Sequence, residues 1–102
     1  MIPLDRKLEA HWREIKVWDH EVLEAERKAS ALEGNEIACE QAQEAVVMAK
    51  VQRSEALADY LVATGISEKT VRLMDERRLE RMVIDAETAR QRRIAAQRRT
   101  AA

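Results

Sequence analysis

Any metal site or catalytic centre in this chain would have to draw on two histidines, one cysteine and nineteen carboxylates. A zinc site needs three or four such groups converging, usually at short spacings such as His-x3-His or Cys-x2-Cys. His11 and His20 are nine residues apart, which puts them on opposite sides of a helix at about 100° per residue. His20 and Glu24 can meet as an i, i+4 pair, but two ligands do not hold a metal. No metal ligands, catalytic residues or cofactor are therefore expected. Nothing resembles a Gly-rich phosphate loop or a Ser–His or Cys–His pair beside a pocket. The carboxylates alternate with bases at helical spacing, as in Glu24–Lys28, the pattern of a solvated helix face. An enzyme is not expected.

The elements that carry these residues read as helices. Leu4, Leu8, His11, Ile15, Trp18, Val22, Ala25, Ala29 and Leu32 form one 4-3-4-3 ladder. Its average step of 3.5 residues keeps one seam against a companion helix. With three aromatics and no Phe, the core must come from Ala, Val, Leu and Met, which suits long helices packed side by side. Two Gly and one Pro in 102 residues agree. Pro3 fits the first helical position. Gly34-Asn35 marks a first break, as a left-handed helix end followed by a cap. Thr64-Gly65-Ile66-Ser67 marks a stronger one, with Gly65 ending a helix, Ile66 meeting Leu61, and Ser67 capping the next.

The expected fold is all-α, a single domain of long antiparallel helices, either a three-helix coiled-coil-like bundle or an extended helical hairpin. Helices are expected over about 3–33, 36–63 and 68–97, with a frayed basic tail at 98–102. The middle helix is apolar on two adjoining faces, Cys39, Ala42, Val46, Ala49, Leu57 and Tyr60 on one and Val47, Val51, Ala58 and Val62 on the other. Such a helix is expected to lie between two neighbours. The third carries a looser stripe of Val71, Met74, Met82, Ala86 and Ala89, interrupted by Arg78.

The net charge of −1 hides a division. Residues 1–68 are acidic by six charges and residues 69–102 basic by five, with Arg90, Arg92, Arg93, Arg98 and Arg99 near the end. Opposite halves can favour antiparallel docking of one on the other or attraction of an acidic partner, but the leading reading of the Arg run is a solvated helix end favoured by the macrodipole. The chain start lacks the charged and apolar regions of a signal peptide, and no stretch is apolar enough for a membrane span. A lone Cys39 fits a reducing compartment, so a cytoplasmic protein is expected.

The segment from Leu57 to Arg72, through Thr64-Gly65-Ile66-Ser67 and Thr70-Val71, resembles the helix–turn–helix element of bacterial regulators over about a fifth of the chain. The resemblance implies that Ser67, Lys69, Thr70 and Arg72 face a major groove. The chain departs from that family in having Leu61, where Ala lets the helices cross closely. It also places Asp75, Glu76 and Glu80 where phosphates would lie. A capped helix–helix corner has the same pattern.

The favoured reading is a non-enzymatic protein–protein interaction module, an adaptor, scaffold component or inhibitor. It would bind a protein partner, form a homo-oligomer, or both. Its expected interface is Leu8, His11, Trp12, Ile15, Trp18 and Val22, with Trp18 as anchor because buried aromatics dominate interface energetics. The alternative is a dimeric DNA-binding regulator that uses the 57–72 corner.

Overall fold

A computed structural model describes residues 4–101, so Pro3 and its helix-starting role lie outside the described residues. The described chain is all-α, with four helices in the order α1 (Leu4–Ala31), α2 (Glu36–Ala63), α3 (Glu68–Arg72) and α4 (Glu76–Ala101). Both expected breaks are turns. Gly34 has φ 96° and lets the chain leave α1, a conformation that an L side chain resists. Asn35 then caps α2, its Oδ1 accepting from the Ala38 N–H at 3.2 Å. At the second turn Gly65 has φ 105°. The Ile66 N–H donates to the Leu61 carbonyl at 3.3 Å and the Gly65 N–H to that of Val62 at 3.0 Å, the two bonds of a Schellman ending. Ser67 caps α3 by accepting from the Thr70 N–H at 3.2 Å.

The third segment departs from expectation. Instead of one helix over 68–97 there are two, separated at 73–75. Leu73 and Met74 close the first with short-range bonds to Thr70 and Val71. Asp75 opens the second by accepting from the Arg78 N–H at 2.8 Å. The expected stripe largely holds across this break, since Val71 is buried and Met74, Met82 and Ala86 pack against the core. The buried positions of α4 are Leu79, Val83, Glu87 and Arg90, while Ala89 is exposed. Helix continues to Ala101, where a frayed tail was expected.

Cross-chain pairs give the topology. Asp19 meets Arg53, and Trp18 borders one groove with Gln52 as Leu32 does with Ala38, so α1 and α2 are antiparallel. Arg53 meets Glu76 and Tyr60 meets Glu87, so α4 runs parallel to α2, because α3 first carries the chain back. Against α1 it is antiparallel, Glu9 pairing with Arg90 and Asp5 with Arg93. The main core sits where three helices overlap, from Leu8 and Ile15 through Leu57, Tyr60 and Leu61 to Val71, Leu79 and Val83. The other half of the α1–α2 pair projects as a two-helix arm, closed by Ala29, Val46 and Ala49. The radius of gyration, 17.0 Å, exceeds the roughly 13 Å of a compact domain of this length. That excess follows from the arm.

Candidate protein-interaction groove

The heptad ladder separates into two rows. Leu8, Ile15, Val22 and Ala29 face α2, and Leu8, Ile15 and Ala29 are buried there, with Val22 half-buried. Leu4, His11, Trp18, Ala25 and Leu32 form the second row, and none of them is fully buried. Along the arm this row meets Ala38, Ala42, Ala45, Met48, Ala49 and Gln52 of α2 across an open groove of about 760 Å³. Four alanines of α2 line it, Ala38, Ala42, Ala45 and Ala49.

The groove stays open because α4 packs on the other half of the α1–α2 pair and on the opposite flank. Asp5, Trp12 and Asp19, seven apart on the opposite flank of the buried row, all lie toward α4 or the charges that anchor it. Asp5 takes Arg93 at 2.5 Å. Trp12 borders Ile84, Glu87 and Thr88 and carries the Lys16 ammonium 4.4 Å from its ring centre. Asp19 accepts from Arg53 at 2.5 Å, and Arg53 also reaches Glu76 at 3.3 Å and Glu80 at 3.4 Å. Burial works against the Arg53 charge, but the bond to Asp19 and the three carboxylates outweigh it and raise its pKa.

A buried cluster completes the clamp. The Tyr60 hydroxyl donates to Glu87 at 2.7 Å, Arg90 bonds both Glu87 oxygens at 2.9 and 2.7 Å, and Arg90 extends to Glu9 at 2.5 Å. Burial pushes the Glu87 carboxyl up, yet the bonds from Arg90, Tyr60 and Gln91 prevail and hold it below the ordinary range. Burial and the adjacent Glu87 push the Tyr60 phenol well above its usual value. Among the described residues no buried side-chain polar atom lacks a partner.

These contacts reassign the expected interface. Leu8 and Ile15 belong to the chain's own core, so they are not open to a partner. Val22 is half-buried in the same row, and Trp12 is engaged by α4. Trp18 and His11 remain on the open row, with Trp18 lining the groove and also touching the core. Of the basic tail, Arg90 pairs with Glu9 and Arg93 with Asp5 of α1, so the two oppositely charged halves meet there.

The candidate DNA contacts stand at a single helical turn. Ser67, Lys69, Thr70 and Arg72 are exposed. Ser67 serves as cap and shares a 2.7 Å bond with Thr70, and Arg72 pairs with Glu68 at 2.6 Å. No group of three metal-ligating side chains converges among the described residues, and no described helix is long and apolar enough to cross a membrane. His20 is exposed, and Cys39 is a free thiol on the arm.

Sequence reasoning missed the α2 side of the groove. Ala38, Ala45 and Gln52, and likewise Gln41 and Met48, recur at seven-residue spacing, a signal that Ala and Gln carry faintly. No protein-family model, curated protein or solved structure matches this chain, so function is argued from its own geometry.

Proposed function

We propose that the chain is a non-enzymatic helical interaction module of the cytoplasm, an adaptor, assembly component or inhibitor, that seats a partner helix, from another protein or a second copy, in the groove beside Trp18. The observation that supports this reading is the unfilled row of Trp18, Ala25 and Leu32, which repeats at the heptad spacing opposite the alanines of α2. A strict seven-residue row has value to a helix only when another helix covers it. The groove is long and open, with Trp18, Leu32, Met48 and alanines between charged and amide side chains, a shape suited to an amphipathic helix. Trp18 supplies the aromatic anchor on which such interfaces depend. The one-turn α3, with its candidate contacts largely engaged, gives the DNA-reading alternative less to stand on.

Fluorescence anisotropy of labelled amphipathic helical peptides with a Leu/Ala face tests this reading. Binding to the wild-type chain, lost in Ala45→Glu and weakened in Trp18→Ala, is expected. Equal binding by Ala45→Glu would refute the groove as the site.

A further inference from the structure

We propose that the occupant of the groove is the same groove of a second copy, placed by a two-fold axis that crosses α1 at Ala25 and α2 at Ala45. This inference rests on the reading of the groove as a helix-docking site and names its partner.

Trp18 and Gln52 stand at one end of the groove and Leu32 and Ala38 at the other. Ala25 is midway between Trp18 and Leu32, and Ala45 midway between Ala38 and Gln52. A two-fold axis at that level lays α1 antiparallel on α1 of the second copy, and α2 on its α2. Trp18 then sits against Leu32 of the second copy, Ala42 against its Met48, and the alanines meet at the axis. Large side chains fall opposite smaller ones, and the central alanines allow helix axes to approach to about 8 Å.

Charge selects this pairing. The groove is lined by Glu21, Glu24 and Lys28. Glu24 is already paired with Arg27 at 3.3 Å, whereas Glu21 and Lys28 form no ion pair among the described residues. They are seven residues apart on one flank of the row, and residues at one heptad position face each other in an antiparallel pair. The axis therefore brings Lys28 of each copy to Glu21 of the other, twice per dimer. Nothing on α4 obstructs the approach, because it docks on the opposite flank. A face about 21 Å long and about 18 Å wide buries roughly 800–1,000 Å² over both copies, at the low end for a specific contact. The dimer is thus weak and concentration-dependent.

Cross-linking of the full chain reads the axis directly. In a Cys39→Ala background, Ala45→Cys places two thiols across the axis, within the Cα separation of about 4.4–6.8 Å that a disulfide accepts. Mild oxidation should give a covalent dimer, while Val47→Cys, exposed but off the axis, should stay largely monomeric. By sedimentation equilibrium, Glu21→Lys and Lys28→Glu should each weaken the dimer about tenfold, and the double swap should return it to within about threefold. Circular dichroism confirms that each variant is folded. A folded chain that remains monomeric at the highest concentration measured, or equal cross-linking at Val47→Cys, overturns the proposal. Peptide binding in the groove of such a monomer would overturn it too, while leaving the docking reading intact.

Discussion

Trp12 and Trp18 flank one buried row of α1 from opposite sides. Trp12 lies beside Ile84 and Thr88 of α4, and Trp18 lines the groove that α4 leaves open. Six residues place two large amphipathic rings on the two edges of one seam; α4 covers one, while the other packs on the core and borders the open groove. Interior contacts and docking contacts are therefore separable on a single helix.

That separation predicts unequal costs along α1 and α2. Ile15, 2% exposed, should lose about 2–4 kcal/mol of stability on change to Ala, as transfer and cavity costs add. Ala45→Glu, on an exposed groove position, should stay within about 0.5 kcal/mol of wild type. Urea denaturation compares the two, and equal losses would contradict the assignment.

The Tyr60–Glu87–Arg90–Glu9 cluster predicts a pH dependence. Glu87 is held below its ordinary pKa of about 4.3, so its contribution is present above that value and lost as pH falls through the folded one. Glu87→Gln should cost about 2–3 kcal/mol at pH 7, since it strips charge-assisted bonds from a buried arginine. Thermal melts of the two proteins should converge on acidification below pH 4. A gap that stays constant into acid would mean that the carboxylate's charge does not hold α4.

Arg53 gathers Asp19, Glu76 and Glu80 around a side chain that is 17% exposed. Arg53→Met leaves three carboxylates facing one another. A loss of about 1–2 kcal/mol is expected at low salt, shrinking as salt screens the repulsion. A salt-independent loss would place the effect in packing instead.

The fold was legible where its signals are local. Gly34, Asn35, Gly65 and Ser67 announce both turns through conformations and caps that few other residues supply. The break before α4 was not, because Asp75 lies in a charged stretch where one capping carboxylate does not stand out from its neighbours. Beside the expected Met82 and Ala86, which pack against the core, the fully buried positions of α4 are Leu79, Val83, Glu87 and Arg90. The 3.5-residue spacing revealed both rows of α1 but not which one the chain fills. That depends on which flank α4 takes, and the choice is made by ion pairs spanning as many as 88 residues. The polar cluster was hidden for the same reason, as an i, i+3 pair such as Glu87–Arg90 reads as solvated surface.

The most direct test of the docking claim is the emission of Trp18 itself, isolated by Trp12→Phe, as an amphipathic helical peptide is added in dilute solution. The account predicts a saturable blue shift as the half-exposed indole is covered, absent when Ala45→Glu is also present. Unchanged Trp18 emission while the peptide binds by anisotropy would contradict it, because the partner would then be seated elsewhere.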